Sequence, residues 1–139
     1  MNLLVVDTDV TSYVFRWHPL AAAYLDLLKG GDPIISFMTL AEMRFGALRA
    51  RWGAARSDLL ERYLSDFPIC YPDQSLCRLW AEVKHESNQK GRPISSPDAW
   101  IAATALYLKA PLITNNPSHF LQLDRLEVRT IASKGGSWQ

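Results

Sequence analysis

The chain has 139 residues, enough for one ordinary domain, and its 48% hydrophobic content allows a core without disulfides or a structural metal. Its formal net charge is +1, so composition alone marks no nucleic-acid binder and any basic surface must be local. No apolar run approaches the roughly 18 residues needed to cross a bilayer, the start Met1-Asn2-Leu3 lacks the basic region of a signal peptide, and Cys70 and Cys77 match no zinc or redox spacing, so a cytoplasmic setting with reduced thiols is expected.

The elements alternate along the chain. Leu3-Leu4-Val5-Val6 is an unbroken apolar run ending at Asp7, the pattern of a strand buried on both faces in a parallel sheet. Leu20, Tyr24, Leu27 and Leu28 then share one helical face. Pro33 to Phe37 predicts a second strand, followed by a helix carrying Leu40, Met43 and Ala47 on one side. Leu59, Leu60, Tyr63 and Leu64 mark a further helix, and Phe67 to Tyr71 a weaker strand. Leu76, Leu79, Trp80 and Val83 form an i, i+3, i+4, i+7 stripe. Ala99 to Leu108 is apolar nearly all round, which predicts a central helix. Ala110 to Thr114 reads as a strand, and Leu126 to Thr130 alternates like a half-exposed edge strand. Strands alternating with helices predict an α/β fold around a mainly parallel sheet. No repeat or linker divides it, so residues 1–132 are read as one domain and 133–139 as a flexible tail.

Open α/β sheets bind ligands outside the carboxyl ends of their strands. The polar residues expected there are Asp7, with Thr8 and Asp9 after it, Glu42 in the first turn of the helix after the second strand, Asp98 at the start of the apolar helix, and Thr114-Asn115-Asn116 at the end of a later strand. Each has a local explanation. Asp7 or Asp9 can cap the next helix, and Thr39-Leu40-Ala41-Glu42 fits a capping box. Ser96-Pro97-Asp98 fits a helix start with Ser96 as the cap, and Asn115-Asn116-Pro117 is common turn chemistry. Local explanations do not account for all of them falling at one level of the sheet.

Three carboxylates brought together repel one another unless a cation is present. Hard oxygen ligands suit Mg²⁺ or Mn²⁺, whereas His18, His85 and His119 are scattered and form no zinc pattern with the cysteines, which makes them surface or packing residues. A divalent ion lets an acidic pocket accept phosphate, so phosphodiester hydrolysis is the reaction class that follows.

Four segments in order resemble the motifs of PIN domains. They are Val5-Val6-Asp7-Thr8-Asp9-Val10, Ser36 to Ala47 with its Arg44-Phe45-Gly46-Ala47 continuation, Pro97 to Ala105, and Leu112-Ile113-Thr114-Asn115-Asn116-Pro117-Ser118-His119-Phe120. The resemblance covers nearly the whole chain and is nearest to the VapC-type toxins. It implies a three-layer α/β/α fold and an Mg²⁺- or Mn²⁺-dependent endoribonuclease, the toxic half of a type II toxin–antitoxin pair. It implies that Asp7, Glu42 and Asp98 are the metal-binding acids, with Glu42 acting through water or as an orienter. Many relatives carry a fourth acid where this chain has Asn116, which puts a second metal in doubt and leaves Asn116 to orient a water or ligand. Thr114 and Asp9 are expected to support the cluster. The resemblance further implies an RNA substrate, a homodimer and a cognate VapB-type antitoxin.

Arg44, Arg49, Arg51, Arg56 and Arg62 offer a basic rim for RNA, although Asp58 and Glu61 among them also fit an ordinary solvated face. Lys84, His85, Lys90 and Arg92 form a second basic group. Among the five tryptophans, Trp17 and Trp52 flank helix ends and are the candidates for partner contacts, while Trp80 and Trp100 suit packing. Two other functions fit parts of the pattern. A PIN-like module without activity, binding RNA or a partner, accommodates Asn116. A haloacid-dehalogenase-like phosphatase would use Asp7 and Asp9, but lacks its downstream lysine and paired acids. A DNA substrate also remains compatible with the sequence.

Overall fold

The computed structural model describes residues 2–131, so the tail expected at 133–139 lies outside the described residues. The order of elements is β1 (Leu3–Val6), α1 (Thr8–Phe15), α2 (Ala21–Leu28), β2 (Asp32–Ser36), α3 (Phe37–Arg49), α4 (Ala54–Ser65), β3 (Ile69–Cys70), α5 (Gln74–Gln89), α6 (Ser96–Leu108), β4 (Leu112–Ile113), a 3-10 turn (Pro117–Phe120) and β5 (Val128–Arg129). Among the described residues the strands form one sheet in the order β3-β2-β1-β4-β5, and every neighbouring pair is parallel.

The unbroken apolar run of β1 follows from cover on both faces. Leu4 and Val6 enter one core with Val10, Tyr24, Leu28, Met43 and Leu60 from α1 to α4. Val5 enters the other core with Val83, Ile101, Ala102 and Phe120 from α5, α6 and the 3-10 turn. Strands β2 and β4 divide in the same way, with Ile34 and Leu112 on one side and Ile35 and Ile113 on the other. Two cores around one sheet make the expected α/β/α sandwich. Burying a Leu, Ile or Val side chain contributes roughly 1.5–3 kcal/mol relative to leaving it exposed, so the central strands hold the layers together.

Helix α6 is central for the reason its sequence suggests. Ala99, Ile101, Ala102, Ala103, Thr104 and Ala105 are all buried, and the small residues let it lie close to both β1 and α5. On α4 one expectation fails: Leu59 is 53% exposed, and only Leu60 and Leu64 turn fully inward. The edge strands are short, and Val128 is half-buried while Arg129 is exposed, as the alternation predicts. Helix α1 had no clear periodic signal, because its eight residues bury only Val10 and Thr11 fully.

The turn into β2 allows no side chain at Gly31. A Cβ there would run into the Asn2 carbonyl oxygen and crowd the Leu4 side chain, because Asp32 N–H donates to that same oxygen at 2.7 Å and draws the segments together. Gly31→Ala should destabilise the protein by about 1–3 kcal/mol through overpacking. Urea unfolding measures it, and an unchanged midpoint would contradict the close approach.

Candidate active site

In this sheet the strand order reverses between β1 and β4. Chains leaving those two strands depart to opposite sides and open a crevice at the carboxyl edge. Asp7 follows β1 directly and Thr114 follows β4 directly. Asp7 N–H donates to the Ile113 carbonyl at 2.9 Å, which fixes the two strand ends side by side.

Asp7 is only 6% exposed and has three roles at once. It is the N-cap of α1, its Oδ1 accepts from Thr8 N–H at 2.7 Å, and its Oδ2 accepts from the Thr114 hydroxyl at 2.7 Å. Thr114 in turn accepts from Asn116 N–H at 3.0 Å. The capping explanation of Asp7 is thus correct, and it is no alternative to a site: the cap is what points the carboxylate outward from β1.

Asp9, in the first turn of α1, is tied to the chain beyond β4. Its Oδ2 accepts from Asn115 N–H at 3.0 Å and from the Asn116 side-chain amide at 3.1 Å. Asn116 therefore contributes a donor to Asp9, where an acid would place a second negative charge. Tyr24 supports this corner from the core, donating its hydroxyl to Asn115 Oδ1 at 2.6 Å.

Glu42 is held differently from the sequence expectation. Ser36, not Thr39, caps α3, accepting from Met38 N–H at 3.0 Å, so Glu42 lies in the second turn and no capping box forms. Thr39 is instead fully buried and shares a hydrogen bond with the Thr8 hydroxyl at 2.9 Å. The Thr8 hydroxyl in turn donates to Glu42 Oε1 at 2.7 Å. At α6 the cap shifts by one residue: Ser95, not Ser96, accepts from Asp98 N–H at 3.2 Å. Asp98 stands in the first turn, and its Oδ2 meets His119 Nδ1 at 3.1 Å. His119 is a surface residue, as expected, and it also hydrogen-bonds a candidate acid. The signal available was its place three residues after Asn116, in the turn that faces the start of α6.

Burial and neighbouring charge both act on these acids. Burial, with the charge of Asp9 added, pushes Asp7 up from 3.8 to about 8, and Asp98 also raises it. Burial raises Asp9, and Asp98 raises it further. Burial likewise raises Glu42, with the charge of Asp98 again contributing. Burial is thus the main cause in all three, and the charge of Asp98, at the start of another helix, adds to each. Among the described residues no three acids, histidines or cysteines form a ready-made cage for a metal ion. The donor set nevertheless fits a hard cation such as Mg²⁺, which takes one or two carboxylates and keeps several waters.

The basic residues are placed less simply. Arg44 is engaged by Glu61 through two contacts of 3.1 and 2.9 Å. Arg49 lies over Phe45 and Arg56 over Trp52, with the latter 4.0 Å from the ring centre. Arg51 takes a left-handed backbone conformation after α3. Trp17 is 73% exposed, whereas Trp52 stacks on Phe15. Trp80 and Trp100 stack on each other, as packing residues should. Of the second basic group, Lys84 and Lys90 are bonded to main-chain carbonyls, and Arg92 faces the start of α6.

Comparison with known proteins agrees with this architecture. The PIN domain family model matches residues 4–126. Ribonuclease VapC1 of Haemophilus influenzae is 28% identical over 127 residues, covering 90% of this chain and 95% of that protein. Ribonuclease VapC2 of Rickettsia felis is 29% identical over 126 residues, covering 89% and 94%. The crystal structure of VapBC2 from Rickettsia felis bound to a promoter DNA fragment aligns with a TM-score of 0.81 and 27% identity, over 92% of this chain and 98% of that one.

The raised proton affinity of Asp7 has a thermodynamic consequence. The folded, metal-free protein binds a proton that the unfolded chain releases near 3.8. The associated stability is fully present below that value and is lost as pH rises through about 8. Melting curves of metal-free protein should therefore fall across this window, and Asp7→Asn should flatten the decline. An equally steep decline in the variant would assign it to other groups.

Proposed function

This chain belongs to the PIN domain family, and on that premise we propose that it is a divalent-metal-dependent endoribonuclease, the toxin of a type II toxin–antitoxin module acting in the cytoplasm. The observation that carries the reading is the placement of Asp7, Asp9, Glu42 and Asp98 around the strand-order reversal, where hydrogen bonds tie Asp7 to Thr114, Asp9 to Asn116 and Glu42 to Thr8. Carboxylates of like charge gathered at one edge of a sheet are costly to a fold that has no use for them. The ribonuclease names of the relatives support RNA as the substrate.

Asp7 and Asp98 are assigned as the residues that hold Mg²⁺ (or Mn²⁺), with Glu42 orienting water beside it. Such an ion, when bound, supplies the positive charge that draws a phosphodiester into an acidic pocket and the acidity that activates water. The chain's own residues supply position. Thr114 and Thr8 N–H fix both oxygens of Asp7, Thr8 fixes Glu42, and the Ser95 cap fixes the start of α6 under Asp98. Asn116 holds Asp9 in place through its amide and is assigned a positioning role. That contact gives the amide a use within an active site.

A VapB-type antitoxin and a second copy of the chain are proposed as partners. Solved relatives that form VapBC complexes support the first. The exposed apolar side chains of Trp17, Phe45, Leu48 and Leu59 supply surface that a partner would cover. Among the described residues no helix is long and apolar enough to cross a membrane.

The test is cleavage of mixed cellular RNA by purified, antitoxin-free protein. Cleavage should require Mg²⁺ or Mn²⁺ and stop with EDTA. Asp98→Asn should lower the rate by at least about 100-fold, since losing even an outer partner of a metal ligand costs 10–100-fold. Its melting temperature should stay close to wild type, because the backbone N–H that Ser95 caps is retained. Cleavage that survives EDTA and the substitution would overturn the assignment.

A further inference from the structure

Beside Asp98, a cavity of about 460 Å³ opens between the α5–α6 loop and the 3-10 turn. Arg92, Ile94, Ser118, His119 and Gln122 line it together with Asp98. Ile94 is 4% exposed and gives it an apolar floor. Gln122 is 6% exposed, and its amide N–H donates to the Arg92 carbonyl at 3.1 Å. Its Oε1 has no hydrogen-bond partner among the described residues. The bond from Gln122 ties the chain after the 3-10 turn to the Arg92 main chain and fixes where Arg92 sits.

Arg92 is the cation at this cavity. Gly91, at φ 68°, makes the turn after α5 that brings Arg92 to the cavity edge. The nearby Lys90 is neutralised by Glu86 at 3.0 Å and Asp124 at 2.8 Å. Arg92 has no carboxylate within ion-pair distance among the described residues; its Nη2 stands 3.5 Å from the Ser118 carbonyl. An arginine left unpaired beside Asp98 suits an anion that must approach that acid. A guanidinium matches phosphate oxygens with two parallel donors.

We propose that this cavity seats the RNA nucleotide next to the cleaved phosphodiester, with Arg92 as a positioning residue that holds the flanking phosphate. The proposal rests on the ribonuclease reading above. A nucleotide seated there would lay its base against the exposed His119 ring. His119 lines the cavity and is hydrogen-bonded to Asp98 at 3.1 Å, so a nucleotide held there lies next to that acid.

The experiment compares wild type, Arg92→Gln and Arg92→Lys. It measures steady-state cleavage of a short fluorescein-labelled single-stranded RNA across a salt series, and binding of the same RNA without divalent metal by anisotropy. Arg92→Gln should raise KM about tenfold with kcat within about twofold, and should flatten the slope of log binding constant against log salt by about 0.7, the share of one phosphate on a single strand. Arg92→Lys should recover the salt slope, since it keeps the charge, and part of KM. Unchanged KM and slope in Arg92→Gln would overturn the proposal. If wild type binds RNA but cleaves none, the ribonuclease reading falls, and the binding slopes alone uphold or overturn the cavity. If it neither binds nor cleaves, both fall.

Discussion

The carboxylate of Asp7 is buried at the point where the strand order of the sheet reverses, and much of the local architecture answers to that burial. An isolated buried charge is expensive unless hydrogen bonds or a counter-charge compensate it. Thr8 and Thr114 provide the hydrogen bonds, one to each oxygen. They do not provide charge, and the neighbouring acids add more of the same sign. The metal-free site is thus poised to accept either a proton or a cation. That single constraint links the parallel sheet, which creates the crevice, to the chemistry assigned to it.

The same residues serve as structure and as site. Asp7 caps α1, Asp98 stands over the Ser95 cap in the first turn of α6, and Glu42 projects from a helix whose Thr39 is buried against Thr8. A helix N-terminus favours nearby negative charge, which lowers the cost of collecting carboxylates there. Asp9 and Asn116 show complementarity of another kind. The amide at Asn116 donates to Asp9, so the two positions act as a pair, and a change at one alters what the other can do.

The sequence made the layers legible because cover on both faces leaves a plain mark. Leu3 to Val6 could hardly be anything but a central strand, and α6 announced itself by being apolar all round. The acids were legible through their motifs and their place after strands. Details that depend on tertiary contact were not. Thr39 and Glu42 fit a capping box locally, but Ser36 starts α3 three residues earlier, because β2 runs directly into the helix. Helix α1 is too short and too lightly buried to show a period. The contact of His119 with Asp98 joins residues 21 apart, across a turn that no periodicity describes. Nor could the sequence reveal that Lys90 is neutralised while Arg92 is not, since that depends on where Glu86 and Asp124 fall in space.

The central claim is that the converging carboxylates form a cation site, and its most direct test is Mn²⁺ binding followed by electron paramagnetic resonance at neutral pH. Wild type should bind Mn²⁺ saturably, Mg²⁺ should compete, and Asp7→Asn or Asp98→Asn should each weaken binding strongly in a protein that remains folded. Binding that is absent in wild type, or unchanged in both variants, would contradict the claim and leave the buried carboxylates without the role assigned to them.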